Sequence, residues 1–584
     1  MGIAYTLDTP IKVAHYGISS AISLVDDMLM EKMREYYSNK LNIPFNPISS
    51  KSIDHRAERI TAYLNMVDKV VKQKFDDVKQ SIQENKSEFS KYLDMLPNLT
   101  EVKQEFSDKL SSNVQDLKNW ANDNLSIGSI DVNIMTKLDK TNFHDGDALP
   151  QEYNDAHAAL RGFANSTLRS SVVLSAGMNP RLYSYLEEFD DFYPDANGDM
   201  KKKIILKVSD YRSALLQGKI FAKKGLWVSE YRIESGLNCG GHAFASDGQL
   251  MGPVLEAFKN NRAKLIEETF ELYQSALKQK ERFCTTEPPV VRITAQGGVG
   301  SAQEHQFLLD HYQLDSVGWG SPFLLCPEAS TIDEDTLHKL QVADEKDIYL
   351  SNISPLGVPF NSLKGNTKDL EKAQYIQMGR PGSPCVRKHA SVNREFTDHE
   401  ICTASRAYQR LKLKELEEKN LPPEEHRKAF DQIVEKSCIC VGLGTPALIS
   451  NNLDTKTEGP GVSVCPGPNL AYFTEKVSLK KMVDHIYGRA QVLKKKRPNL
   501  FLKELNIYTD YLKEKLSEVK ESTSPREIKT LTNLQKNLMG SVEYYNEMKE
   551  QLSKSLEIPK KQFADELNNI KNRLSGLFVE MKKG

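Results

Sequence analysis

Short apolar runs that stop at small or glycine residues alternate along the first 330 positions with longer stretches of helical spacing. Pro10–Ser20 is such a run, ending in Tyr16-Gly17-Ile18-Ser19-Ser20 and entering an apolar helix through Leu24 and Met28. Ile43–Ile48 predicts a second strand, limited by Pro44 and Pro47. Ser129–Met135, Ser171–Gly177 and Lys203–Val208 follow, the last with Ser209-Asp210 placed to cap a helix. Gly225–Val228, Val290–Thr294 and Asp315–Leu324 complete the series, and an apolar helix from about Leu255 to Leu277 separates the first two. Strands with near-continuous burial, each followed by a helix, predict parallel pairing with helices on the outside.

The expected fold class is therefore α/β, a (β/α)8 TIM barrel built from residues 1–53 and 127–350. Three other textures interrupt or extend it. Between 54 and 126, Ile60, Leu64, Val67, Val71, Phe75, Val78 and Ile82 recur at helical spacing among charged residues, which predicts an inserted helical hairpin broken at Pro97. Residues 351–476 are rich in glycine, proline and turns and predict a loop-rich cap over the barrel mouth. From 477 to 584 the chain turns helical again, with Leu502, Leu505, Tyr508, Leu512 and Leu516 on one stripe and a new helix starting at Ser524-Pro525. Both helical regions need an apolar partner. They are expected to pack on each other as a satellite bundle or to form a homo-oligomer interface.

Composition narrows the setting. The 584 residues carry a net charge of −1, which gives no bulk attraction to nucleic acid or an anionic membrane. No run approaches the roughly 18 apolar residues of a membrane span, and mean hydropathy is −0.51. The N-terminus lacks a basic stretch followed by an apolar one, so a cytoplasmic protein is expected. Eight cysteines in a chain of this length do not predict a disulfide scaffold.

The chemistry gathers in three loops. Asn238-Cys239-Gly240-Gly241-His242 follows one apolar run, and Gln296-Gly297-Gly298-Val299-Gly300-Ser301 follows the next. A third run ends in Gly318-Trp319-Gly320-Ser321. Loops after the last strands of a parallel barrel share a phosphate, and glycine-rich turns opening a helix offer backbone N–H groups to it. With an imidazole at the neighbouring strand end, the three loops read as a flavin mononucleotide (FMN) site. His242 is the candidate general acid or base, because an imidazole titrates near neutrality. Lys207, at the end of its strand, is the candidate cation for an anionic flavin ring or else a plain surface lysine.

At these residues the chain resembles the nitronate monooxygenase (2-nitropropane dioxygenase) family and its relatives, the flavin-dependent enoyl-ACP reductases and the polyunsaturated-fatty-acid-synthase enoyl reductases. The similar segments are Gly240-Gly241-His242, Gly297-Gly298-Val299-Gly300 and Val317-Gly318-Trp319-Gly320-Ser321-Pro322-Phe323. The resemblance covers roughly residues 10 to 330. It implies a barrel with tightly bound FMN, the phosphate on Gly297, Gly298, Gly300, Gly320 and Ser321. It implies an active-site role for His242, beside Gly241, and a flavin lined by Ala14, His15, Tyr16, Gly17 and Asn133. It also implies a small carbon-acid or acyl-thioester substrate, with NAD(P)H as reductant in the enoyl reductase case. Asn238-Cys239 stands where the family often has Glu-Ala.

Two alternatives stay open. Cys385, Cys402, Cys438, Cys440 and Cys465 fall in the cap, where several thiols in irregular chain suit an iron–sulfur cluster or zinc, or else pack as small apolar groups. Cys239, next to the glycine pair, is the candidate for a redox-active thiol. A non-enzymatic scaffold, with function carried by the helical regions, is the reading from another class. Lys494-Lys495-Lys496-Arg497 reads as solvated surface.

Overall fold

The computed structural model describes residues 3–83, 87–97, 100–109, 114–175, 177–245, 248–494, 496–519 and 523–583. Ala176, at the end of the Ser171–Gly177 run, and Lys495 of the basic cluster lie outside the described residues.

Seven strands form one sheet in chain order: β1 (Ser20–Ser23), β2 (Ile130–Met135), β3 (Ser170–Ser175), β4 (Lys202–Val208), β5 (Val228–Glu234), β6 (Arg292–Gln296) and β7 (Ser316–Gly318). Every pair is parallel, from Ser20 opposite Ile130 to Gln296 opposite Gly318, with one register shift at Ile204/Ile205. The first six strands have buried positions because a parallel sheet is covered by its crossover helices, whereas edge strand β7 is only partly covered. Val132, Ile134, Val172, Leu174, Ile204, Leu206, Tyr231, Ile233, Ile293 and Ala295 are among them.

The sheet curls into a half-barrel, and β1 and β7 are its two edges. The closed eight-stranded barrel expected from the sequence is not formed among the described residues. The expected strand at Ile43–Ile48 is irregular chain, because its polar backbone is satisfied by helix side chains. Arg34 donates to the Asn46 carbonyl at 2.7 Å, Ile48 N–H donates to Glu31 at 2.8 Å, and Arg59 donates to the Ile48 carbonyl at 2.9 Å.

The concave face of the curl is polar in its middle layer. Glu230 accepts from Arg232 at 2.8 Å and from Thr294 at 2.7 Å, and Arg232 lies 3.5 Å from Asp131. Burial pushes the Asp131 carboxyl up to about 6, although Arg232 opposes it.

Residues 54–126 are four described helices rather than a hairpin: His55–Gln80, Glu88–Met95, Glu101–Lys109 and Val114–Asn124. The long first helix buries Ile60, Leu64, Val67, Val71, Phe75 and Val78 on one face, as the spacing predicts. It crosses helix Asp155–Ala164 at Gly162, where a Cβ would lie 2.8 Å from that of Ile60. Phe75, Val78, Phe89, Tyr92, Leu117 and Trp120 close a small core of the insert's own.

The C-terminal helices Leu500–Ser517, Pro525–Glu547 and Lys560–Lys583 pack on one another and, through Pro525–Glu547, on helix Met251–Gln279. Their apolar stripes join the main core rather than forming a satellite bundle with residues 54–126. Ser524 caps the second of them in a reciprocal box with Glu527, as Ser524-Pro525 predicts. Among the described residues no single helix is long and apolar enough to cross a membrane.

Candidate functional site

Parallel pairing sends the C-terminal ends of all seven strands to one side of the sheet. The loop after β5 carries Cys239 to His242, the loop after β6 carries Gly297 to Ser301, and the loop after β7 carries Trp319 to Ser321. Because Glu234 pairs with Gln296 and Gln296 with Gly318, the three loops start from adjacent residues. Gly241, Gly297, Gly298, Gly300, Gly320, Ser321 and His242 therefore share one end of the sheet. Lys207 and Asn133 lie at or near the same end, on β4 and β2.

Ala14, His15, Tyr16 and Gly17 do not. They form a short helical turn before β1, preceded by helix Thr9–Val13 with Pro10 in its first turn. The strand begins only at Ser20, so these four residues sit at the opposite end of the sheet. There Ala14 accepts from Gly128, Tyr16 bonds Glu88 and Gly17 faces Tyr92. Buried His15, held neutral with its titration lowered to about 4 by burial, belongs to that lower edge. The expected flavin lining at Ala14–Gly17 is corrected accordingly.

The glycine turn is left-handed and tightly packed. Gly297 and Gly298 have φ of 106° and 78°, left-handed values that favour glycine. A Cβ on Gly298 would lie 2.0 Å from the Asn238 amide nitrogen. Asn238 is 1% exposed, and neither its Oδ1 nor its Nδ2 has a hydrogen-bond partner. Among the described residues no acceptor meets the amides of Gly298 and Val299. Gly320 and Gly241 face open space.

One other expected phosphate donor is already engaged: the Gly300 amide donates to Glu304 Oε2 at 2.9 Å. The Ser321 hydroxyl accepts from the Gly467 amide at 2.7 Å. Glu304 sits in the first turn of helix Ala302–Tyr312, capped by Ser301. Its other oxygen takes Arg497 at 2.7 Å and the Leu500 amide at 2.6 Å, while Arg497 also holds the Gly298 carbonyl. Arg497, expected at the surface, is a buried structural ion pair. The signal for it was weak, since three lysines precede it.

His242 is half-buried and stapled by the cap. Its Nε2 lies 2.7 Å from Ser354 Oγ, and its ring meets Phe360 edge-on. Ala243 N–H donates to the Pro359 carbonyl, Asn361 N–H to the Gly241 carbonyl and Asn361 Nδ2 to the Cys239 carbonyl. Burial lowers the His242 imidazole to about 4, so it is neutral at pH 7.

Lys207 is ion-paired with Glu234 at 2.6 Å, and Gln296 donates to the same carboxylate at 2.8 Å. Burial raises the Glu234 carboxyl, but Lys207 beside it holds it below the usual range. The ammonium expected to face a flavin ring is thus already neutralised. Cys239 is buried, and burial together with Glu234 pushes its thiol well above its ordinary value. It is a neutral thiol, not the reactive thiolate a redox role needs. Sequence reasoning missed Glu234, Gln296, Glu304, Ser354 and Asn361, whose side chains meet the loops only through tertiary contact.

Behind the His242 loop, Glu504 is 1% exposed and accepts from Ser235 Oγ at 2.5 Å and from the Met251 amide at 2.9 Å. Burial raises its carboxyl to about 7. A raised folded-state value means that stability is whole below the unfolded value near 4.5 and falls as pH rises through 7. Glu504→Gln removes the ionisation. We expect its stability relative to the native chain to improve by about 3 kcal/mol between pH 5 and pH 8. Urea unfolding at the two pH values measures this, and an equal gap at both would refute it.

No protein-family model matches the sequence, and no curated protein does. Among solved structures, the chain is similar to the enoyl reductase domain of MlnA from the macrolactin biosynthesis cluster of Bacillus amyloliquefaciens. The TM-score is 0.31 and the identity 14%, over 71% of this chain and 88% of that one. At so low a score the similarity bears on neither the fold nor the chemistry of this chain.

Proposed function

We propose that this chain is an FMN-dependent oxidoreductase acting on a small carbon-acid or enoyl-type substrate. The observation that carries the reading is Asn238, buried with both amide atoms unpartnered against the left-handed Gly297-Gly298 turn. An orphaned amide of this kind costs roughly 1–3 kcal/mol unless a ligand pairs with it. The amides of Gly298 and Val299, with Asn238, would hold the phosphate, and the loop at Gly320 would flank it. Gly300 is left out of that set, because its amide already donates to Glu304.

FMN, when bound, supplies the two-electron centre. The chain supplies orientation and proton handling. Neutral His242 has an accepting ring nitrogen and, with Ser354 and Phe360 fixing the ring, is placed to take a proton from an activated carbon or return one to it. Lys207, Glu234 and Gln296 form a polar layer at the same strand ends, their charges paired with one another. Helix Leu500–Ser517 is built onto the glycine turn through Leu500 and, by way of Arg497 just before it, through Glu304. This argues against the C-terminal helices as a separate binding module.

The purified chain is expected to be yellow and to release a compound of FMN mass on denaturation. A colourless, folded protein that gains no flavin fluorescence change on titration with FMN would end the proposal. Anaerobic mixing with NADPH or NADH then separates the chemistries: rapid bleaching marks a reductase, and bleaching by a nitronate alone marks an oxidase.

A further inference from the structure

The cap reaches the His242 imidazole through one buried hydroxyl. Cap strands Ile348–Ser351 and Phe360–Leu363 pair antiparallel, and Phe360 bridges to His242. The loop between them carries Ser354, which is 0% exposed.

Ser354 Oγ accepts from Leu356 N–H at 3.2 Å and lies 2.7 Å from His242 Nε2. An amide N–H only donates, so it offers the hydroxyl proton nothing. Solvent does not reach the side chain, and among the described residues no other acceptor lies within hydrogen-bond distance of it. The hydroxyl proton is therefore directed at the lone pair of Nε2. Were Nε2 to carry a proton itself, Ser354 would be a buried donor without an acceptor, an unfavourable arrangement. A neutral imidazole has one N–H and one accepting nitrogen, and the bond made at one nitrogen sets which is which. Burial keeps this ring neutral at pH 7, so its own proton is on Nδ1. Among the described residues Nδ1 has no hydrogen-bond partner, and it is not sealed from solvent. Gly241 beside it faces open space.

We propose that Ser354 is a positioning residue that holds His242 in the Nδ1–H tautomer, so that the imidazole delivers a proton to substrate rather than taking one. This rests on the oxidoreductase reading above and narrows its substrate class from carbon acids to electron-poor alkenes. A carbon acid needs a base at its α-carbon, and an N–H has no lone pair to offer. An enoyl-type substrate needs the reverse. When hydride adds to its β-carbon, from NAD(P)H by way of the proposed FMN, the π pair moves to the α-carbon. That pair forms the new C–H bond as the Nδ1–H bond breaks, and the N–H electrons stay on the ring. Ser354 stabilises the anionic ring through its bond to Nε2, and water restores the proton at accessible Nδ1.

The test is nitrogen-15 NMR of the full chain with ring-labelled histidine, the His242 signals being assigned by their absence from His242→Ala. At pH 7 we expect the proton on Nδ1 and none on Nε2, with or without added FMN. In Ser354→Ala the proton should no longer be held on Nδ1 alone. That variant should lower kcat for a crotonyl thioester with NADPH by about 10- to 100-fold, a part of what general acid catalysis contributes, with KM little changed. Ser354→Thr, which keeps the hydroxyl, should recover most of the loss. Nitroethane, which must give up an α-proton, should not be turned over by the native chain. A proton on Nε2 of the native chain, or faster turnover of nitroethane than of the thioester, would overturn the proposal. The native spectrum decides the matter even if a variant fails to fold. A proton on Nδ1 in a chain that binds no flavin would defeat the oxidoreductase reading alone, and bound flavin with the proton on Nε2 would defeat this inference alone.

Discussion

Replacing His242 by alanine is expected to lower turnover by about two to four orders of magnitude while FMN content stays unchanged. The size follows from what the imidazole is placed to do. It is held by Ser354 at 2.7 Å and by the edge of Phe360, and the loop behind it is bonded to Pro359 and Asn361. Removing the ring leaves the glycine turn untouched, so binding of the phosphate and loss of proton transfer separate. The pH profile supplies a second check. Burial keeps the ring neutral down to about pH 4. The accepting form is therefore present across the neutral range, and kcat/KM should fall only as pH drops through about 4, not near the ordinary imidazole value of about 6.5. Ethyl nitronate and a crotonyl thioester with NADPH serve as probes. Unchanged turnover of the active probe in the alanine variant would remove His242 from the mechanism.

Arg497→Met is the second large effect. Arg497 and Glu304 are 5% and 3% exposed, and the pair ties the C-terminal extension to the glycine turn. Removing one partner of a buried pair leaves the other charge unmatched, which costs about 3–5 kcal/mol. The variant also loses the bond to the Gly298 carbonyl, so FMN affinity should weaken together with stability. Urea unfolding gives the first quantity and flavin fluorescence titration the second. The double variant Arg497→Met with Glu304→Gln should recover part of the stability, because an uncharged amide in place of the carboxylate needs no cation. A single-variant loss below about 1 kcal/mol would show that the pair does not hold the turn.

Much of this architecture is legible in the chain itself. Apolar runs at β2, β3, β4 and β6 mark parallel strands, because only strands covered on both sides are apolar without alternation; the run at β7 ends in an edge strand that is only partly covered. The stripe from Ile60 to Val78 marks a helix, and Ser524-Pro525 marks a helix start, because spacing and capping are local properties. Gly297-Gly298 marks a left-handed turn, because few other residues tolerate that backbone. Gly241, His242 and Gly320 stand in strand-end and glycine loops that can be located directly in the chain, whereas the buried, unpartnered amide of Asn238 is visible only in the fold.

Only the tertiary structure decided the rest. Whether the sheet closes depends on long-range pairing, and residues 43–48 form no strand because Arg34, Glu31 and Arg59 take up their backbone. Which end of β1 carries Ala14–Gly17 turned on where the strand starts, a shift of a few residues that moves side chains to the opposite face of the molecule. The charges paired with Lys207 and Arg497 lie on other elements, and charge alone in a sequence does not name its partner. The meeting of Cys385, Cys402 and Cys440 in one small core is likewise a property of loop packing, since residues many positions apart meet only when the cap folds onto the ends of β1 and β2.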